Sequence, residues 1–518
     1  MSRDLIIGID AGTSVIKSVA FDLAGRQLAV ASVPNRYNTD TTGAVTQSLA
    51  QTWQDCVTSM AQLAEMLPDL AGRTDAIAVT GQGDGTWLVG SNNQPVGDGW
   101  LWLDARAGSV AQAMRDTDAD EARFLSTGTG LNACQQGVQL THMMDIAPDQ
   151  LAQAEVAFHC KDWLYLNLTG VRATDPSEAC FTFGDFRTRS YSDEVIGFYG
   201  LGDHARLLPP ICDGSKTTHA LTDEAAARTG LRAGTPVVLG YVDVVCSALG
   251  AGAYQAHHPV GCTIVGTTGV HIRATAPEDI VLNAEQRTGY VMIMPVEDVA
   301  AHLQTNMAST LNLDWVRGLV GEVAGTLGAE VTEDQLLTLM NDWIATAKPA
   351  SLLYHPYISD AGERGPFIDH TARSSFIGLT SAHGFGDLMR ATAEGLGLAA
   401  RDCYAAMGQT PNEVRLTGGA ARSRTLRDIF SAALGVPVRQ SLREEAGAAG
   451  AAMMAAVAIG AYEDMAHCLA DWVTPLLGES ETPDRELTAL YDQLFPNYTA
   501  ARKALQPVWH GLAHREDL

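Results

Sequence analysis

Asp243 stands in the middle of VVLGYVDVVCSALGAGA (237–253), a stretch that is otherwise almost wholly apolar. An unpaired buried carboxylate is expensive, so this residue needs a partner, a metal or a chemical task. The plain structural reading is a cap on the helix that begins VVCSAL (244–249), a common post for aspartate after a strand. The alternative is a functional carboxylate.

Two glycine loops could meet a phosphate. GIDAGTS (8–14) puts small residues and backbone N–H donors directly after a strand, with an acid at Asp10. Such a loop lets phosphate approach closely while an aspartate engages Mg²⁺. A plain hairpin turn would use the same residues. GTTG (266–269) could grip the other side of the same triphosphate. The chain has no GxxxxGK[ST], which excludes a P-loop, and GQGDG (81–85) lacks the GxGxxG spacing of a dinucleotide fingerprint.

A third group is WLWLDAR (100–106), in which two tryptophans, Asp104 and Arg106 fall within one short run. Aromatic faces pack on C–H surface while charged groups take hydroxyls, so the run fits the wall of a polar-ligand pocket. A structural salt bridge beside core aromatics fits it equally. Asp84, set between glycines, is either a turn former or a hydroxyl acceptor. His257–His258 and His159–Cys160 lack a matching second pair, which argues against a structural zinc, and no GxSxG elbow is present.

These residues need strands to aim them. LIIGID (5–10), VIKSVAFD (15–22), AIAVT (76–80) and VVLGYV (237–242) read as strands, and 49–65 as a helix. The pattern then returns. IIGIDAGT (6–13) is echoed by TIVGTTG (263–269), and AVTGQG (78–83) by RLTGGA (415–420), which predicts two similar α/β domains joined near YQAHHP (254–259). The predicted division is 1–253, 254–500 and a tail at 501–518.

At 518 residues the chain has room for two to four domains. Its net charge of −26, from 34 basic and 60 acidic residues, argues against nucleic acid or an anionic membrane as partner. It leaves a phosphorylated ligand open, because local donors and Mg²⁺ can reverse a global field. The nine cysteines show no CxxC and no paired framework, as expected of reduced thiols in the cytoplasm. AGAAGAAMMAAVAIGA (446–461) is short and small-sided, which predicts a close-packed internal helix rather than a membrane span.

Taken in order, the motifs resemble those of the FGGY family of carbohydrate kinases, within the actin-like (ribonuclease H-like) ATPase superfamily. They are GIDAGTS with Lys17, GQ (81–82), WLDAR (102–106), DWLYLNLTG (162–170), TDPSEA (174–179), GTPVVLGYVD (234–243), GTT (266–268), YISDAGERG (357–365) between two prolines, SSFIGL (374–379), DLMRATAE (387–394) and LTGGA (416–420). The resemblance spans nearly the whole chain.

It implies two actin-like domains closing on MgATP and a sugar or polyol. In that frame Asp243 is the base that takes the proton of the attacking hydroxyl, and Asp10 lies near Mg²⁺. Gly12, Thr13 and Ser14 lie beside the transferred phosphoryl, Gly266 and Thr267 face the triphosphate, and Gly418, Gly419 and Ala420 line the nucleotide. Gln82, Asp84, Trp102, Asp104 and Asp243 are the implied substrate residues, all in the first domain. The chain departs from the family at Gly83–Asp84, where many pentulose kinases carry a histidine, and NACQQGVQL (132–140) lacks the usual lysine–tryptophan pattern. An acid-lined, arginine-poor pocket mouth favours a neutral polyol or sugar. A homodimer is compatible with the sequence.

Overall fold

The computed structural model describes residues 3–256 and 258–513. Of the His257–His258 pair, His257 lies outside the described residues, as do 514–518 of the expected tail.

Six strands form the first sheet: β1 (Leu5–Ala11), β2 (Val15–Asp22), β3 (Gln27–Pro34), β4 (Thr74–Gly81), β5 (His219–Ala220) and β6 (Pro236–Leu239), in the order β5-β6-β4-β1-β2-β3. β1, β2 and β3 run as an antiparallel meander, whereas β4 and β6 add on parallel to β1. The second sheet repeats this plan. It is built from β7 (Val260–Val265), β8 (Gly269–Thr275), β9 (Tyr290–Ile293), β10 (Ala300–Asn306), β11 (Glu413–Thr417) and β12 (Val438–Gln440), in the order β9-β10-β8-β7-β11-β12. β7, β8 and β10 are antiparallel neighbours, and β11 and β12 run parallel to β7. β1 thus corresponds to β7 and β4 to β11, the two pairs of strands whose sequences echo one another.

The central strands are buried on both faces, which explains their unbroken runs of Ile, Val and Ala. α1 (Leu49–Met66), capped by Ser48, and α2 (Cys160–Thr169) cover one face of the first sheet. α3 (Pro176–Phe183) reaches across to the second sheet, where Phe181 stacks on Tyr290 of β9. The other face of the first sheet meets α4 (Asp243–Ala251) and α5 (Ala446–Ala458). α5 is the internal helix expected at 446–461, and Ala448 to Ala456 are fully buried. Glycines set how closely these elements approach. A Cβ on Gly250 would stand 2.1 Å from the Ala446 carbonyl oxygen, one on Gly450 2.0 Å from that of Cys246, and one on Gly8 2.2 Å from that of Ala448. No side chain fits such gaps, so α4 of the first half, α5 of the second and β1 meet backbone to backbone.

The chain closes with α6 (Arg485–Ala513), which runs without a break across residue 500, where the sequence places the start of a tail. Among the described residues no helix is long and apolar enough to cross a membrane.

Candidate active site

β1 and β2 are a hairpin, and the turn between them is the GIDAGTS loop. Both readings of that loop therefore describe it in part, because the hairpin carries a loop pinned from several sides. Asn35 Nδ2 donates to the Gly12 carbonyl (2.9 Å), and Gln47 Nε2 donates to that of Thr13 (3.2 Å). Thr13 Oγ1 donates to Gln82 Oε1 (3.0 Å) and accepts from Trp102 Nε1 (2.8 Å). Gln82 Nε2 in turn donates to Gln47 Oε1 (2.7 Å). Four residues distant in sequence thus lock together, and Gln82 and Trp102 are fixed against the turn that carries Thr13. Trp102 remains 40% exposed, consistent with a wall that a ligand covers.

From the second half come the GTT turn and LTGGA. Gly266 and Thr267 sit in the β7–β8 turn, held because Thr310 N and Oγ1 both donate to the Gly266 carbonyl (2.9 Å each) and Ser309 N donates to that of Thr267 (2.7 Å). Gly418 follows β11 at φ 94°, and a Cβ there would lie 2.6 Å from the Val265 carbonyl oxygen. Only glycine suits that position. Gly419 and Ala420 continue in a short 3₁₀ turn, with open space at Gly419. Asp10, Lys17, Gly418, Gly419, Glu445 and Gly447 line one cleft between the halves, about 860 Å³ in volume. Lys17 Nζ spans it to Glu445 Oε2 at 2.7 Å.

Asp10, the half-buried residue before Ala11 at the end of β1, faces the N-terminal turn of α5, so close that a Cβ on Gly447 would lie 2.4 Å from its Oδ2. Burial pushes its carboxyl up to about 6, with Lys17 opposing and Glu445 adding to the rise. A hard oxygen ligand on a cleft wall, held uncomfortably as an anion, fits a Mg²⁺ ion, which would relieve that cost. The protonation state of Asp10 is thus coupled to what the cleft holds.

Asp243 occupies the first position of α4. The capping position falls instead to Val242, which has no side-chain oxygen to offer, so the capping reading fails by one residue. Burial raises the Asp243 carboxyl to about 8, helped by the negative charges of Asp10 and Glu178 and opposed by the Val244 N–H and Lys161. A half-buried carboxyl with its proton affinity raised is suited to accept a proton.

The other expected substrate residues divide. Asp84 has φ 54°, so it does form the turn. Its Oδ2 accepts from Cys134 Sγ (3.6 Å), while its buried Oδ1 has no partner among the described residues. Burial pushes it up to about 6 against the pull of His159, the Cys134 hydrogen bond and Arg364. Asp104 is committed locally. It accepts from Arg106 Nη2 (2.6 Å) and from the Val45 N–H (2.9 Å), and the Arg106 guanidinium stacks 3.5 Å over the Trp100 ring. The salt-bridge reading of WLWLDAR describes that pair, and the pocket-wall reading describes Trp102.

Several residues that face this space escaped the sequence reading. Arg364, from the second half, pulls on Asp84, and Tyr290 accepts from Asn132 Nδ2 (3.2 Å), so the pocket is not walled by the first half alone. Behind it lies a buried charged cluster. Lys161, fully buried, sits 2.7 Å from Asp162 Oδ1 and 2.5 Å from Asp175 Oδ2. Burial alone would raise Asp162, but Lys161 and His159 hold it at about 2. DWLYLNLTG and TDPSEA were visible as motifs. Their polar roles were not, because nothing in a local sequence says that Lys161 and Asp175 will meet.

With this geometry in hand, comparison with known proteins is decisive. The family model for the N-terminal domain of FGGY carbohydrate kinases matches residues 5–250, and that for the C-terminal domain matches 261–459. The chain belongs to the FGGY family of carbohydrate kinases, enzymes that transfer a phosphoryl group from ATP to a hydroxyl. An erythritol kinase from Brucella abortus is 58% identical over 510 residues, covering 98% of each chain. A xylulose kinase from Escherichia coli is 27% identical over 97% of this chain and 100% of its own. Among solved structures, a xylulose kinase from Rhodospirillum rubrum superposes with a TM-score of 0.86 at 25% identity, over 98% of this chain and all of that one. The two sheets are accordingly the two actin-like domains of that family.

Proposed function

We propose that the protein phosphorylates erythritol from MgATP. The 58% identity to an erythritol kinase, sustained over 98% of both chains, carries this reading. The motifs GQGDGTWLV (81–89) and WLWLDAR (100–106) resemble those of erythritol kinases as well. A pocket that offers Asp84 and Asp243 to its ligand suits a small neutral molecule rich in hydroxyl donors.

In this mechanism Asp243 receives the proton of the attacking hydroxyl late, as the alcohol becomes acidic on bonding to phosphorus. Gly12, Thr13 and Ser14 hold the transferred phosphoryl, Gly266 and Thr267 the triphosphate from the facing domain, and Gly418, Gly419 and Ala420 the nucleotide. Mg²⁺ would be held at Asp10 and would neutralise charge on the phosphates. Gln82 and Trp102 position the substrate through Thr13, with Asp84 taking a hydroxyl. Domains at 1–253 and 254–500 would close on these ligands and shut out water. The repeated sheet plan and family matches that stop at 250 and resume at 261 support that division. A net charge of −26 supports an enzyme that engages neither nucleic acid nor membrane, nine free cysteines support a cytoplasmic one, and a homodimer is compatible with the sequence.

ADP release measured across erythritol, glycerol, xylitol, xylulose and ribulose tests the proposal. Erythritol should give the highest kcat/KM. Xylulose in first place would make the protein a pentulose kinase, and silence across the panel would favour a non-catalytic sensor or another actin-like ATPase.

A further inference from the structure

Glu178 lies on α3, is 2% exposed, and has entered so far only through the effect of its charge on Asp243. One of its oxygens makes an ion-pair contact, although His159 Nε2 has no hydrogen-bond partner among the described residues. Oε2 sits 3.5 Å from His159 Nε2, and His159 Nδ1 lies 3.3 Å from Asp162 Oδ2, so the imidazole is held between two carboxylates. Burial would lower the histidine, but Glu178 and Asp162 prevail and raise it, which favours the imidazolium that fixes Glu178 in place. The other oxygen, Oε1, is buried and has no hydrogen-bond partner among the described residues.

The place Oε1 occupies exists because residue 83 is glycine. A Cβ there would lie 2.5 Å from Glu178 Oε1 and 2.4 Å from Val242 Cγ2. On one side of that gap is Asp84, whose Oδ1 is also buried and unpartnered among the described residues, and on the other is Val242, the residue before the base. α3 is tied to this spot, because the Val242 N–H donates to Ser177 Oγ (3.1 Å). Glu178 is therefore held in register with Asp243. Two buried oxygens without partners flank one glycine, a cost that persists in a fold when a ligand meets it in the working state. A molecule carrying adjacent hydroxyl donors meets both.

We propose that Glu178 is a substrate-binding, specificity-determining residue whose Oε1, packed against Gly83, accepts a hydrogen bond from a hydroxyl of the bound polyol. Asp84 takes a second hydroxyl beside it, and His159 positions Glu178 from behind. The assignment rests on the polyol-kinase reading and names which side chains of that site choose the substrate. Burial raises the Glu178 carboxyl to about 7 against the pull of His159 and Lys161, so its ionised form is the one that accepts, and a ligand presenting a carbonyl there offers it no donor.

The test is steady-state kinetics of Glu178→Gln, Glu178→Asp and Gly83→Ala, with both substrates varied. Glu178→Gln should lower kcat/KM for the polyol about 10- to 100-fold, with KM for ATP within about twofold, and Glu178→Asp should recover part of the loss. The charge of Glu178 raises Asp243, so the acid limb of the kcat/KM profile should also move to lower pH in Glu178→Gln. The limb reads the charge of Glu178 on Asp243, whereas a merely structural role leaves the split between the substrates unmoved. Gly83→Ala drives a methyl against Oε1 and should reproduce the polyol defect, so it reads the same contact if Glu178→Gln fails to fold. Wild-type polyol KM and an unmoved acid limb in Glu178→Gln, or an undisturbed polyol KM in Gly83→Ala, would overturn the proposal. Wild-type turnover of the polyol panel, measured alongside, shows whether the polyol-kinase reading still stands when this assignment does not.

Discussion

Replacing Asp243 by asparagine keeps the shape of the side chain and removes its ability to accept a proton. A positioned general base contributes about 10²- to 10⁴-fold, equivalent to about 3–5 kcal/mol of barrier. The variant should lose that factor in kcat while ATP affinity survives, because the nucleotide residues are elsewhere in the cleft. Stability should change in the opposite direction. The folded value of about 8 lies far above the 3.8 of an ordinary aspartate, so the folded protein binds the extra proton across that window. Stability contributed by this group is therefore greatest at low pH and falls as pH rises from about 4 to about 8. At pH 7 the burden is on the order of 4 kcal/mol as an upper bound. An asparagine side chain carries no such burden, so the Asp243→Asn variant should melt higher than wild type at pH 7, and the two melting curves should converge towards pH 4. Single-turnover kinetics and melting at pH 4.5, 6 and 7.5 measure both effects. Near-normal turnover refutes the base assignment. A melting difference that does not depend on pH refutes the claim that burial has raised this carboxyl.

Two other substitutions separate the halves of the site. Asp84→Ala should raise KM for the polyol far more than KM for ATP in initial-rate measurements, and equal rises would make Asp84 a turn former alone. Gly418→Ala must force a Cβ to within 2.6 Å of the Val265 carbonyl oxygen at φ 94°, where the neighbouring atom is backbone and cannot swing aside. It should cost about 1–3 kcal/mol in denaturant unfolding and weaken ATP binding in calorimetry while leaving the polyol KM near wild type.

How much of this was legible from the chain depends on the distance over which each signal acts. Strands such as β1 and β4 announced themselves because burial on both faces demands unbroken apolar runs, and the echo of 6–13 in 263–269 reflected a true repeat of sheet plan. Asp243 was legible as an anomaly, since a lone carboxylate in an apolar run is costly wherever the run ends up. Asp104 shows the opposite case. A motif placed it in the pocket, and only coordinates show Oδ2 taken by Arg106 Nη2 and the Val45 N–H and Oδ1 by Arg106 Nε and its backbone N–H. Glu178 lay in plain view within TDPSEA. Its significance depends on a gap at Gly83, 95 residues away by number, and on a histidine from a third segment. No local rule couples these three. Burial gives each of them its chemistry, by leaving an oxygen unpaired or lifting a carboxyl towards neutrality, and burial is a property of the assembled fold. The residues that identify the family are those whose task is local, such as turns that approach phosphate. The task proposed for Glu178 exists only after distant segments meet, which is why motifs carried the family and the polyol resemblance while that residue had to wait for the structure.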